Sequence, residues 1–337
     1  MFADLNDDQR ALRGLAREVL EGACPAPAVR RSWQDGGELD RARWAQLAGS
    51  DLLGVTVPER FGGLSLGSVE WTVLLEEAGR VVLPEPLLEV AGLAPALILA
   101  QAGDDLRDRW LPALASGKAF VAVQLRPGDL VAHLDSAQAV LVVRDDALRV
   151  LEPADLTATR VPTVDRSRRL FRLDADLTAV APRPVPRDRL RRVAALAALG
   201  TAAMLVGVSA ALLDRTVRHV SQRRQFGRAV GSFQAIQHAL ANCHVLVEMC
   251  RPTVWQAGYL LDHNVDAGLA AAGVAKAYAS AAASHVNDVA LQCHGGIGFA
   301  WEHDLHLWLK RGKSLERAYG SADDHRRQVV TRLFPDE

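Results

Sequence analysis

The chain has 337 residues, 49% of them hydrophobic and 23% charged, with a formal net charge of −1 at pH 7. This is the composition of an ordinary soluble protein with room for two or three domains, and so small a charge leaves no basic footprint for nucleic acid. The four cysteines (Cys24, Cys243, Cys250, Cys293) contain no C-x-x-C pair, which argues against a zinc site and a disulfide framework and fits a reducing cytoplasm.

Residues 4–116 read as helices. Leu5, Leu12, Leu15, Val19 and Leu20 recur at helical spacing, and Asn6 or Asp7 is placed to cap the first helix. Trp44, Leu47, Leu52 and Leu53 carry the pattern to a break at Pro58 and Gly62-Gly63. An amphipathic helix follows over Val69–Val82, and Pro84 and Pro86 end it. Two more helices are predicted over Leu87–Ala100 and Asp104–Ala115.

At Gly117 the period changes. Ala119–Gln124, Gln138–Val143, Ala147–Glu152 and Arg168–Leu173 are short β-like runs separated by Pro, Gly and Asp. Beyond Pro186 the chain turns helical again, with long helices predicted over Val193–Arg223, Phe233–Leu261 and Asp266–Gln292, joined by short connections as in a bundle. Residues 191–213 are rich in Ala, Leu and Val, but the small residues dilute their hydrophobicity. They read as a buried core helix and not a membrane span. The polar, acidic N-terminus is unlike a signal peptide.

Two motifs carry the chemistry. Arg223-Arg224-Gln225-Phe226-Gly227 is followed at Phe233 and Gln234 by an aromatic and an amide. Gln292-Cys293-His294-Gly295-Gly296-Ile297-Gly298 stands 58 residues beyond Gln234. Arginine offers a planar, bidentate donor to phosphate oxygens, and glycines let backbone N–H groups approach a ligand. Read singly, Arg223 is also a solvated helix-end arginine, and the glycine pair a helix C-cap. His294 reads as a turn residue, and the other histidines are scattered without metal spacing.

Taken together, these motifs resemble the acyl-CoA dehydrogenase family, whose C-terminal domain shows R-x-x-F-G, F-Q and Q-x-x-G-G-x-G. Val57-Pro58-Glu59-Arg60-Phe61-Gly62-Gly63 is similar to the family's V-P-E-x-[YF]-G-G loop. The resemblance covers nearly the whole chain. It implies a mainly α fold with a small β-domain: an N-terminal helical domain (1–116), a reduced β-domain (117–186) and a C-terminal four-helix bundle (187–337). It implies FAD as cofactor, with Arg223, Phe226, Gln234, Gln292, Gly295 and Gly296 on the ADP half of a flavin held by the neighbouring subunit. Phe226 would pack under the adenine or in a simple core.

Two features depart from the family. The T-E-P-x-x-G-S-D-type loop that lies against the flavin is missing, and Gln124–Asp129 takes roughly its place. Counted from Gln292 without a gap, the family's Y-E-G-T-S segment falls on Ala318 onward, and its catalytic carboxylate on Tyr319. The alternative base position, on the first long C-terminal helix, falls on Ala197. An unperturbed tyrosine, with a pKa of about 10, is roughly 0.1% ionised at pH 7, and Asp323 and Asp324 nearby would oppose its ionisation. Glu316, one turn earlier, is the acid nearest in sequence that could swing in. Ser321 and Asp323 fall on cofactor-contacting positions, although Asp323-Asp324 also reads as the solvated start of a helix.

The expectation is therefore a subunit without its own base in a hetero-oligomeric (α2β2) acyl-CoA dehydrogenase. Its partners would be a catalytic subunit, an acyl-CoA and an electron-transfer acceptor, in the cytoplasm. Such pairs resemble those of actinobacterial steroid side-chain degradation, which handle bulky CoA thioesters. The alternatives are a self-sufficient flavoenzyme with an unorthodox base, and a non-redox scaffold that kept the fold.

Overall fold

The computed structural model describes residues 4–334 apart from 102, 175, 176, 178 and 179, so the expected domain ends at 1 and 337 lie outside the described residues. Asn6 caps the first helix: its side chain accepts from the Gln9 N–H, and the Gln9 side chain accepts from the Asn6 N–H, a reciprocal pair that satisfies two otherwise orphaned donors. The N-terminal layer comprises α1 (Asp7–Ala23), α2 (Ala26–Gln34), α3 (Arg41–Gly49), α4 (Ser68–Arg80), α5 (Ala94–Ala100) and α6 (Asp105–Ala115).

The helix predicted over Leu87–Ala100 is split. Glu89–Leu93 forms a π-helical turn ahead of α5. Pro95 has no N–H to give the Ala91 carbonyl, and that carbonyl is taken instead by the Thr56 hydroxyl at 2.7 Å. The widened turn brings Glu89 to face the interior, where it is 4% exposed.

Among the described residues seven short strands follow in two sheets. β1 (Val121–Gln124) pairs in parallel with β3 (Ala139–Arg144), which runs antiparallel to β4 (Ala147–Leu151), and β4 pairs with β7 (Arg183–Pro184). Asp145 and Asp146 turn the β3–β4 hairpin with φ of +52° and +56°, as a two-residue turn of that hand requires. In the second sheet β6 (Leu170–Asp174) lies between β2 (Val131–Ala132) and β5 (Thr157–Val161). β5 escaped the sequence reading because its residues are nearly all exposed and show no alternation.

The C-terminal part holds α7 (Arg187–Gln222), the strand pair β8 (Arg224–Gln225) and β9 (Arg228–Ala229), and then α8 (Gln234–His263), α9 (Val265–His294), α10 (Leu305–Arg317) and α11 (Ala322–Leu333). α7 packs on α8, α9 and α10, and also on α4 of the N-terminal layer. Its apolar stretch, long enough by composition to cross a bilayer, is wholly buried, as expected of a core helix. α4 and α7 meet at backbone distance: a Cβ on Gly79 would strike the Met204 carbonyl, and one on Gly207 the Glu76 carbonyl.

Buried ions tie the layers together. Arg13 and Arg17 of α1 donate to Glu77 of α4 at 2.9 and 2.8 Å, and Arg251 of α8 donates to Glu76 at 2.8 Å. Arg311 of α10 pairs with Asp165 of the β region and donates to the Leu83 carbonyl at 2.7 Å and the Ser167 hydroxyl at 2.9 Å. Lys276 of α9 holds the last carbonyls of α10, Leu315 and Glu316, at 3.1 Å each. Burial pulls its pKa down to about 8.

Candidate functional site

The Arg223 motif forms where α7 stops. The Arg223 N–H donates to the His219 carbonyl at 2.9 Å, closing the last turn. The chain then reverses through Phe226 (φ +52°) and Gly227 (φ +77°) between β8 and β9. A left-handed backbone at an aromatic residue is uncommon and costs about 1–2 kcal/mol. Here it thrusts the Phe226 ring into the open, 90% exposed, in neither the core nor a covered pocket of its own chain. Phe226 meets Phe233 edge-on at 6.2 Å, and the Arg228 guanidinium lies 3.9 Å from the Phe233 ring centre. Gln234 opens α8 and is exposed.

The second motif ends α9. His294 is its last residue and is buried, so it is part of the helix and not of the turn. Gly295 takes φ +60°, and a Cβ on either Gly295 or Gly296 would meet nothing within 4 Å. Their backbone thus faces open space. Ile297 and Phe299 beside them are exposed, the latter at 77%. Among the described residues the side chains of Arg223, Gln234 and Gln292 make no hydrogen bond or ion pair. An uncommitted guanidinium, two amides, an open glycine backbone and an uncovered phenyl ring match the ADP half of a dinucleotide: phosphate, ribose and adenine. The two motifs touch through their histidines, His219 stacking on His294 with ring centres 4.2 Å apart.

Ser321 and Asp323 do not join this group. Ser321 caps α11, exchanging hydrogen bonds with Asp324, and Asp323 pairs with Arg326 at 2.8 Å. The solvated helix start is thus present. Their helix packs on α9 at Gly273, which faces Val329 and His325 and is about 19 residues, and so about 28 Å, along α9 from Gln292.

Tyr319, at the family's base position, has φ +55° and turns its ring inward. Its hydroxyl donates to Glu89 Oε1 at 2.9 Å. Burial first, and then the Glu89 charge, raise its pKa well above the ordinary tyrosine value. The expected opposition from Asp323 and Asp324 is therefore corrected: the carboxylates acting on Tyr319 are Glu89 and, more weakly, Asp129, while Asp324 is held by Ser321 and Arg327. Glu316 does not swing in, because its carboxylate pairs with Lys313 at 3.2 Å. Ala197 is buried within α7. The chamber beside Tyr319 and Glu89 holds ≈ 20 Å³, room for about one water. A cleft of ≈ 360 Å³ lies on the other side of Tyr319, lined by Arg168, Lys313, Arg317 and Asp129 among others.

The loop in the place of the missing flavin loop is bonded to itself. Gln124 is buried and donates to the Asp129 carbonyl at 2.7 Å, while the Asp129 carboxylate accepts from the Arg126 N–H at 3.0 Å. Sequence reading missed Glu89, although a lone acid in the apolar run from Leu87 to Ala100 was the available signal. It also read as scattered the three histidines, His219, His294 and His303, that meet in space. No metal-holding cluster of His, Cys, Asp or Glu is found among the described residues.

Comparison with known proteins agrees with this architecture. The model of the acyl-CoA dehydrogenase N-terminal domain matches residues 6–118, and that of the C-terminal domain matches residues 191–334. Acyl-CoA dehydrogenase IpdE2 of Mycobacterium tuberculosis is 33% identical over 323 residues, covering 95% of this chain and 93% of the relative. IpdE2 of Mycolicibacterium smegmatis is 29% identical over 331 residues, covering 98% and 100%. Among solved structures, a variant of the Tcur3481–Tcur3483 steroid ACAD superposes with a TM-score of 0.86 at 29% identity, with 98% of each chain covered. The ChsE4–ChsE5 complex from Mycobacterium tuberculosis gives a TM-score of 0.90 at 24% identity over the full length of both chains, a likeness of fold. With both terminal domains matched and a relative above 30% identity covered almost end to end, this chain belongs to the acyl-CoA dehydrogenase family of oxidoreductases.

Proposed function

We propose that this chain is the base-less subunit of an FAD-dependent acyl-CoA dehydrogenase hetero-oligomer, α2β2, in the cytoplasm. A catalytic partner supplies the base, and this chain completes the partner's FAD site. The observation that carries the reading is the state of Tyr319: a neutral phenol, donating to buried Glu89 at 2.9 Å, stands where a carboxylate would have to remove the α-proton of a CoA thioester. A positioned base is worth about 10²–10⁴-fold, and neither Tyr319 nor Ala197 provides one.

FAD, when bound, takes up the hydride leaving the β-carbon and passes its electrons to an acceptor. This chain's part is to hold the ADP half. Arg223 would clasp the diphosphate, and Gln234 and Gln292 would bond the ribose and adenine edges. The Gly295–Gly296 backbone would approach the phosphates, and Phe226 would cover the adenine. Ser321 and Asp323 would contact a flavin on the far side of the chain. The self-bonded Gln124–Asp129 loop offers little to a flavin ring there. The likeness to a two-component steroid ACAD supports a bulky, steroid-type CoA thioester as the complex's substrate.

The test is co-expression with a catalytic acyl-CoA dehydrogenase subunit encoded nearby, followed by flavin counting and turnover. The complex should carry FAD and oxidise acyl-CoA, while this chain alone should not. Arg223→Ala removes a charge-assisted contact of roughly 1.5–3 kcal/mol, about 10–150-fold in FAD affinity. Unchanged FAD retention through dialysis would overturn the assignment.

A further inference from the structure

The two turns of the dinucleotide site are 72 residues apart from Arg223 to Gly295, and β8–β9 and the glycine turn share no strand pairing. What lies between them is a cluster of three imidazoles drawn from three elements. His219 sits one turn before the end of α7, His294 ends α9, and His303 lies in the loop ahead of α10. His219 and His294 stack with centres 4.2 Å apart and planes at 20°. His303 closes edge-on at 5.3 Å to His294 and 6.4 Å to His219. Two of the rings are oriented by the backbone: His294 Nδ1 lies 2.8 Å from the Ala290 carbonyl and must donate to it, while His303 Nδ1 accepts from the Leu305 N–H at 3.2 Å. The His219 ring has no hydrogen bond among the described residues, so ring contact is what holds it. Its own carbonyl, in turn, receives the Arg223 N–H.

We propose that His219, His294 and His303 are positioning residues for the dinucleotide site: their packed rings lock the Arg223 turn against the Gly295–Gly296 turn, so that the guanidinium and the glycine backbone face one ligand. This rests on the FAD reading above. The rings themselves are placed as a joint beneath the site, not as phosphate ligands. His294 is buried, and its Nδ1 proton is spent on Ala290.

The joint has a definite pH sense. The groups acting on His219 and His294 are Arg223 from α7, His303 from the loop before α10, and the two rings themselves; no carboxylate is among them. Burial lowers the pKa of both rings, and the neighbouring charges add to it; at His294 the hydrogen bond to Ala290 opposes them without reversing the shift. A base with a depressed folded pKa lends its stability fully above its ordinary value, about 6.5, and loses it as the pH falls. As the pH falls from 7.5 to 5.5 an opened ring takes up protons more readily than a packed one, which shifts the balance toward the opened joint. A direct phosphate contact would behave in the opposite way, because an imidazolium would grip the diphosphate more tightly.

Two measurements test this, and they fail separately. On the isolated full chain, hydrogen–deuterium exchange is followed over residues 223–234 and 292–299. His219→Ala should speed exchange in both segments, whereas His219→Phe, which keeps a stacking ring and cannot be protonated, should restore the slow rate. Equal exchange in all three proteins, or acceleration in one segment alone, overturns the joint whatever the cofactor does. On the co-expressed complex, FAD retention is measured at pH 7.5 and 5.5. The parent should bind FAD more weakly at pH 5.5 than at 7.5, and His219→Phe should blunt that loss. His219→Ala should bind about 2–10-fold more weakly at pH 7.5, the equilibrium worth of a lost aromatic pair. Tighter FAD binding at pH 5.5, or no pH dependence, overturns the inference. If Arg223→Ala leaves FAD binding unchanged while the exchange results hold, the cofactor assignment fails and the joint stands.

Discussion

Replacing Tyr319 by Phe separates a structural tyrosine from a catalytic one. The substitution keeps the ring and removes only the hydroxyl that donates to Glu89 at 2.9 Å. Glu89 is 4% exposed, and Tyr319 is the partner it has across the chamber. A hydrogen bond to a charged group contributes about 1.5–3 kcal/mol, and a buried acceptor left unpaired bears the full desolvation cost. The Phe variant should therefore unfold at lower denaturant, with stability reduced by about that amount. Turnover of the assembled complex should stay within about twofold, since nothing that moves a proton has been removed. Glu89→Gln is the companion variant. Its amide oxygen still accepts from the Tyr319 hydroxyl, so stability should change less than with Tyr319→Phe, and turnover again should hold. Stability comes from urea unfolding of the full chain, turnover from single-turnover flavin bleaching in the complex at matched FAD content. A loss of about 10²–10⁴-fold in either variant, the worth of a general base, would refute the reasoning. Such a loss from Tyr319→Phe would make the phenol the base, and from Glu89→Gln would make this chain a flavoenzyme whose carboxylate comes from the π-helical turn.

Two further outcomes follow from the buried ions. Arg311→Leu strands Asp165 without its guanidinium in a site where both are about 1% exposed, so it should destabilise the chain by about 3–5 kcal/mol; a loss under 1 kcal/mol in urea unfolding would contradict the pairing. His133 is buried with a pKa pulled down to about 4, chiefly by burial. Its contribution is thus complete above about pH 6.5 and lost as pH falls toward 4, up to about 3 kcal/mol, and His133→Asn should flatten that part of the stability–pH curve.

The parts of this fold that the sequence disclosed are those whose causes are local. Asn6 sits at the head of its own helix, and the Asp145-Asp146 reversal lies between two short β-like runs. α7 carries no charged residue from Val193 to Leu213 because nearly all of that stretch is buried, and its Thr201 and Ser209 hydroxyls bond to the helix's own backbone. The turns at Arg223–Gly227 and Gly295–Gly296 were legible for a related reason: glycines and an arginine at fixed spacing shape one turn each. Glu89 was not, because its meaning depends on a tyrosine 230 residues away and on a proline that widens its helix. The histidine cluster was hidden in the same way, since His219, His294 and His303 have no shared period and meet only after α7 and α9 have packed.

The two halves of the proposed function differ in how their polar groups are spent. Around Tyr319 they are consumed internally: the phenol by Glu89, Glu316 by Lys313, Gln124 and Asp129 by their own loop. For a group already bonded within the fold, replacing its partner by a ligand gains little. At the ends of α7 and α9 the balance is reversed. Arg223, Gln234 and Gln292 are uncommitted, Phe226 and Phe299 are bare, and two glycines face outward. Exposing so much apolar and donor surface is costly for a lone chain and is offset once a dinucleotide and a second subunit cover it. Outward contacts left open at the ends of α7 and α9, beside polar groups spent internally around Tyr319, support the proposed partner subunit over a self-sufficient enzyme.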